Sequence, residues 1–146
     1  MGEPPLSTDR LMAPDFSLRD VNERSFSSSD SRGKVVVLAF MSTSCPYCKT
    51  QMPQLTAMWR KFEGRIIMIS ITLSLHETGK RLSEYAESYN APWIWAGETA
   101  GVGAAYQVTG VPTILFIDAN GRIVCAALGQ TPETVLSQQI QMAIQG

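Results

Sequence analysis

The stretch Lys34-Val35-Val36-Val37-Leu38-Ala39-Phe40-Met41-Ser42-Thr43-Ser44-Cys45-Pro46-Tyr47-Cys48 decides how this chain folds. Val35 to Met41 is an apolar, β-branched run of strand length bounded by turn residues, the pattern of a strand buried on both faces. Beyond Ser42-Thr43-Ser44 the period changes, and Leu55, Met58, Trp59 and Phe62 fall at i, i+3, i+4 and i+7, as one face of a helix requires. Ser44 suits the N-cap of that helix and Pro46 its first turn, while Pro53 should kink it. A buried strand thus runs into a helix, with two cysteines at the junction.

Outward from this unit the same alternation continues. Gly64 ends the helix, and Arg65 to Thr72 reads as a second buried strand. A helix from about Thr78 carries Leu82, Tyr85, Ala86 and Tyr89 at helical spacing and closes at Asn90 and Pro92. Pro92 to Trp95 reads as a short strand, in which one of Trp93 and Trp95 is expected in the core and the other exposed. Thr99 to Tyr106 is a helix weakened by Gly101 and Gly103. Thr113 to Ile117 and Arg122 to Leu128 form a hairpin across Asp118-Ala119-Asn120-Gly121, where Asn-Gly provides the positive φ of a tight turn. Thr131 caps a last helix with Pro132 at its first position and Leu136, Ile140, Ala143 and Ile144 inward. Upstream, Ala13 to Leu18 and Ser25 to Ser27 suggest an extra N-terminal β-hairpin, followed by a serine-rich loop to Gly33. Residues 1–12 read as a flexible lead-in and residues 13–146 as one domain. The implied architecture is α/β: a mostly parallel central sheet with an antiparallel C-terminal hairpin and helices on both faces.

Composition narrows the function. The chain has 146 residues, with 12 Lys+Arg against 13 Asp+Glu and a net charge of -1. No basic block tracks a phosphate backbone, which argues against nucleic acid. The longest apolar run, Val35 to Met41, is about a third of the ~20 residues a membrane span needs, and the N-terminus has no apolar signal core. The chain as written is therefore expected not to insert into a membrane, and to act as a monomer.

The chemistry lies in Cys45-Pro46-Tyr47-Cys48. At a helix N-terminus, unpaired backbone N–H groups point at the Cys45 sulfur and favour its thiolate, moving a free cysteine from a pKa of ~8.5 toward ~7 or below. Only the thiolate attacks a disulfide. Cys48, one turn further in and shielded, is placed to resolve the mixed disulfide that Cys45 forms. As a structural staple the pair would contribute little, because closing a four-residue loop is worth only about 2 kcal/mol in the chain-entropy model. A metal-handling or redox-sensing module using Cys45, Cys48 and His76 is the alternative, since Cys-x-x-Cys is also half of a zinc knuckle; the second half is missing. Cys125 reads as a small buried hydrophobe and His76 as a solvent-facing residue. Tyr47, exposed between the cysteines, is a substrate contact.

The sequence resembles the thioredoxin superfamily, most nearly its TlpA-like branch of extracytoplasmic thiol-disulfide oxidoreductases. The matching residues are Ala13-Pro14-Asp15-Phe16, Gly33-Lys34-Val35-Val36-Val37, Cys45-Pro46-Tyr47-Cys48, Met52-Pro53, Gly110-Val111-Pro112-Thr113 and Asp118-Ala119-Asn120-Gly121-Arg122-Ile123-Val124. The resemblance implies a thioredoxin-like fold and an enzyme exchanging disulfides with protein thiols and a redox partner, with no cofactor beyond a redox-active Cys45-Cys48 disulfide. It also implies a cis peptide before Pro112, with Pro112, the Val111 backbone, Pro46 and Tyr47 bordering the substrate. Its setting would be extracytoplasmic or membrane-tethered if the N-terminus is a truncation, and cytoplasmic if the chain is complete.

Departures from the family pattern matter too. Ser44 and Met41 replace aromatic residues common near the first cysteine. Ala39 stands where thioredoxins bury an acid that helps deprotonate the second cysteine. Glu77 is a candidate proton relay, although a solvent-facing glutamate at a helix start is the more favoured reading. Pro46-Tyr47 is also the dipeptide of glutaredoxins, which raises a glutathione-dependent reductase as a second enzyme reading. Peroxiredoxins share Ala-Pro-Asp-Phe and the fold, but Leu38 and Ser42 stand where they place Pro and Thr, which argues against peroxidase chemistry.

Overall fold

Every residue of β3 (Val35–Met41) is buried, as its unbroken apolar pattern demands. In the computed structural model, which describes residues 11–74, 77–99 and 101–146, this strand is the centre of a five-stranded sheet ordered β5-β4-β3-β6-β7. The other strands are β4 (Ile66–Thr72), β5 (Ile94–Gly97), β6 (Thr113–Ile117) and β7 (Ile123–Leu128). β3 pairs parallel with β4 and antiparallel with β6, so that Leu38 lies between Ile69 and Leu115. β4–β5 is parallel and β6–β7 antiparallel, leaving β6 as the strand that runs against the other four. A separate antiparallel pair, β1 (Ser17–Arg19) and β2 (Ser25–Ser27), forms the N-terminal hairpin.

The two-residue period of β3 divides the core. Val35, Val37, Ala39 and Met41 face a cluster built by α1 (Pro46–Phe62), α2 (Gly79–Ser88) and α4 (Glu133–Gln145). Val36, Leu38 and Phe40 face the other way, against Phe16, Leu18 and Tyr106 and the single turn of α3 (Val102–Ala105). Helices therefore lie on both faces, but the long ones share one of them. α1 and α4 are locked by Gln51, a buried amide whose Nε2 donates to the Thr131 carbonyl (2.8 Å) and whose Oε1 accepts from the Thr131 N–H (2.6 Å).

Several local expectations change. Cys45, not Ser44, is the N-cap of α1, and Pro132, not Thr131, is the N-cap of α4. Pro53 does lie inside α1, as expected. Trp93 and Trp95 are both buried and stack at 5.9 Å, with Trp93 Nε1 donating to Ser70 Oγ and Trp95 Nε1 to the Ala91 carbonyl. Residues two apart on an extended segment point to one face, so an opposite-face arrangement was not available to them. Ile144 lies at the exposed edge of α4, whereas Leu136, Ile140 and Ala143 are buried. In the β6–β7 turn only Gly121 has positive φ (83°), and its N–H donates to the Asp118 carbonyl.

Residues 1–10 of the expected lead-in, and His76, lie outside the described residues. Leu11 to Ala13 are tied to the hairpin. Ile123 N–H donates to the Leu11 carbonyl and Ala13 N–H to that of Gly121, both at 2.8 Å.

Candidate active site

The site forms where the parallel strands end. β3 stops at Met41, three residues cross over, and Cys45 adopts extended backbone angles (φ -82°, ψ 117°) as the cap of α1. Its sulfur accepts the Cys48 N–H at 3.1 Å, satisfying one of the donors that a helix start leaves unpaired. Pro46 at the first helical position has no N–H to satisfy and a φ suited to the helix. Cys45 is half-buried, Cys48 is wholly buried, and both thiols are free.

The two thiols are therefore not equivalent. Burial pushes the Cys48 thiol up to about 12, aided by the hydrogen bond with Cys45 and by the charges of Cys45 and Glu77, and opposed by the Ser42 backbone. It will not ionise at neutral pH without a proton acceptor at hand.

Opposite the pair, the Val111–Pro112 peptide bond is cis and the Val111 carbonyl oxygen lies 3.9 Å from Cys45 Sγ. Pro112 precedes β6, where its missing N–H costs no ladder bond. Its carbonyl accepts from Gly129 N–H, and Thr113 Oγ1 donates to the Gly110 carbonyl, so both sides of the prolyl loop are anchored. Tyr47 stands 66% exposed beside the pair, the exposed aromatic expected there.

Glu77 is not the solvent-facing glutamate favoured from sequence. It is half-buried, and Oε1 accepts from Thr43 N–H (2.8 Å) and Ser42 Oγ (3.4 Å) in the crossover before Cys45. Oε2 is buried and has no hydrogen-bond partner among the described residues. An acid from the segment after β4 thus reaches the crossover before Cys45, while position 39 within β3 is alanine. Cys125, by contrast, sits half-buried on β7 opposite Phe116 and packs toward Gln139 of α4.

Three residues that the sequence does not assign to the site lie beside it: buried Thr43, exposed Arg81 and half-buried Tyr85. Arg81 Nε donates to Thr43 Oγ1 at 3.1 Å, so α2 grips the same crossover that Glu77 holds. Tyr85 belongs to the apolar stripe of α2, yet its hydroxyl is buried without a partner among the described residues. Its position on an amphipathic stripe marks it as inward but does not say what it meets.

A dithiol at a helix N-terminus, half-buried at Cys45 and buried at Cys48, facing a cis-prolyl loop on this sheet, defines a thiol-disulfide oxidoreductase of thioredoxin-like fold. The chain belongs to the AhpC/TSA family, whose model matches residues 10–126. It is 25% identical to the thioredoxin-like protein YneN of Bacillus subtilis over 131 residues, covering 89% of this chain and 77% of that one. It is 27% identical to the thiol-disulfide oxidoreductase ResA of the same organism, covering 89% and 73%. Among solved structures, a putative thiol:disulfide interchange protein DsbE from Chlorobium tepidum superposes with a TM-score of 0.81 at 28% identity, covering 92% of this chain and 96% of that one.

Proposed function

We propose that this protein exchanges disulfides with protein thiols through Cys45-Pro46-Tyr47-Cys48. Cys45 is the attacking thiol and Cys48 the resolving one. The observation that carries this is the asymmetry of the pair: a half-buried sulfur that receives a helix N–H beside a wholly buried thiol raised to about 12. The Cys45 thiolate attacks a substrate disulfide, forms a mixed disulfide and expels one substrate sulfur. Cys48 then loses its proton and attacks Cys45 Sγ, leaving the Cys45-Cys48 disulfide and the second substrate thiol. A redox partner returns the pair to the dithiol.

Around this chemistry, the Val111 backbone and Pro112 border the approach to Cys45, and Pro46 and Tyr47 form its rim. Glu77, held beside the crossover, takes the proton that Cys48 must lose. One copy of the chain suffices, and no cofactor beyond the dithiol is required.

Equilibration against glutathione redox buffers, with alkylation and mass measurement, tests the proposal. A reversible two-electron transition that disappears in Cys45→Ser is expected. A midpoint near roughly -270 mV would make the protein a thioredoxin-like reductant, and one near -180 mV or above an oxidant or isomerase. Thiols that stay shielded by bound metal and show no transition would overturn it.

A further inference from the structure

Between β3 and α1 the chain crosses over at residues 42–44, outside any strand ladder or helix, and two side chains from the start of α2 take hold of it. Thr43 is buried at the centre of this crossover. Its N–H donates to Glu77 Oε1 at 2.8 Å, and its hydroxyl oxygen accepts from Arg81 Nε at 3.1 Å. Two bonds to different atoms fix how a residue is turned, whereas either alone would leave it a hinge. Arg81 is itself held at both ends: the α2 N-cap Thr78 accepts its backbone N–H at 3.1 Å, and Thr43 holds its side chain. An exposed arginine ordinarily keeps its rotamer freedom, and confining one to a single geometry costs entropy. The crossover carries this hold to the dithiol. The Ser42 hydroxyl donates to Glu77 Oε1 at 3.4 Å, and the Ser42 carbonyl accepts the Cys45 N–H at 3.2 Å. The Ser42 backbone is also what opposes the rise of the Cys48 thiol.

We propose that Arg81 is a positioning residue for the resolving step: through Thr43 it fixes the crossover, so that Glu77 and the Ser42 backbone keep one place relative to Cys45. No bond of Arg81 forms or breaks in the reaction. Its hold comes from Nε, bonded to a hydroxyl rather than to a carboxylate, and the field of an exposed cation is screened by salt. The hydrogen bond, not the charge, is therefore what the site uses. The first attack depends less on it, because the Cys45 sulfur is held from the other side by the Cys48 N–H at 3.1 Å.

This role rests on Cys48 as the resolving thiol and Glu77 as its proton acceptor, and the experiment tells these ideas apart. Reduced protein is mixed with an aromatic disulfide that releases a coloured thiolate. The first release reports attack by Cys45 and the second reports resolution by Cys48. Arg81→Met should leave the first release and the denaturant midpoint unchanged and slow the second release roughly five-fold, the loss of one ordinary hydrogen bond. Thr43→Val keeps the Thr43 amide and the Arg81 charge but removes the hydroxyl, and should show the same deficit. Thr43→Ser, which retains the hydroxyl, should react like wild type. The double variant Arg81→Met with Thr43→Val should be no slower than the slower single variant, because both break one contact. The deficit should persist at high salt.

A wild-type second release in Arg81→Met would overturn the positioning role while leaving the dithiol mechanism standing. So would a deficit that high salt abolishes, or a wild-type rate in Thr43→Val, since either would make the charge the cause. Equal slowing of both releases would reduce the contact to a structural one and overturn the role as well. Should Thr43→Val fold poorly, Arg81→Met decides alone, because Arg81 is exposed and the salt series separates hold from charge. An unchanged second release in Glu77→Gln would instead overturn Glu77 as the proton acceptor, and one that survives in Cys48→Ser would overturn the assignment of Cys48.

Discussion

The front and the back of the dithiol are built on different terms. The front consists of Cys45, Tyr47 and the Val111–Pro112 loop, set at the ends of two neighbouring strands, β3 and β6, and one helix start. Cys45, Tyr47 and Val111 are exposed or half-buried, with only Pro112 of these residues buried, and water can solvate charge that develops on Cys45. The back consists of buried Cys48 with Glu77, Arg81 and Tyr85, brought in by the segment between β4 and β5. Of these only Cys48 is wholly buried, so a charge on its sulfur meets protein rather than water. Attack on a substrate is a surface problem, whereas resolution is a problem of moving a proton inside a low-dielectric core.

The sharpest way to break this contrast is to remove each sulfur. Cys45→Ser should abolish disulfide exchange altogether, while Cys48→Ser should still attack and then accumulate as a mixed disulfide, seen as an added substrate mass. Equal loss of the first step in both variants would erase the distinction between front and back.

The contrast also predicts how stability depends on pH. Cys48 has a folded pKa of about 12 against an ordinary 9.0, so the native state holds its proton more tightly than the unfolded chain does. Its contribution is fully present below pH 9 and is lost as pH rises toward 12. Three units correspond to at most about 4 kcal/mol. Urea unfolding of the reduced protein should therefore weaken more steeply above pH 9 than that of Cys48→Ser. The comparison with Cys48→Ser is needed because Tyr106, pushed up to about 12 mainly by burial, adds a slope of its own above pH 10.

A smaller effect comes from the lock behind α1. Gln51→Leu would strand the Thr131 N–H and carbonyl that Gln51 now pairs, and should lower stability by about 1–3 kcal/mol, measured by denaturant midpoint. Smallest of all, Tyr47→Ser should leave stability within about 0.5 kcal/mol, since the ring is mostly in solvent. It should slow exchange with protein disulfides more than with small ones. An equal effect on both would remove Tyr47 from the substrate rim.

How much of this was legible beforehand follows from what each element depends on. β3, α1 and the β6–β7 hairpin carry their periods in contiguous residues, and the structure places them within a residue or two of where those periods end. The caps moved by one residue, because Cys45 and Pro132 have extended backbone angles that residue type alone does not reveal. Trp93 and Trp95 were misread on a matter of period: residues two apart share a face, and a cluster deep enough for both indoles holds them stacked. Glu77 was misjudged for a different reason. Its surroundings are Thr43 and Ser42, more than thirty residues away in the chain.

By itself, then, the sequence determined the alternation of strands and helices, the dithiol at a strand-to-helix junction, and the prolyl loop, because each is a local pattern written in neighbouring residues. Tertiary structure decided that Glu77 meets the crossover before Cys45, what the inner face of α2 meets, and how unequal the two thiols are. Those depend on burial and on contacts between segments remote in sequence, and burial is a property of the assembled core rather than of any stretch of chain.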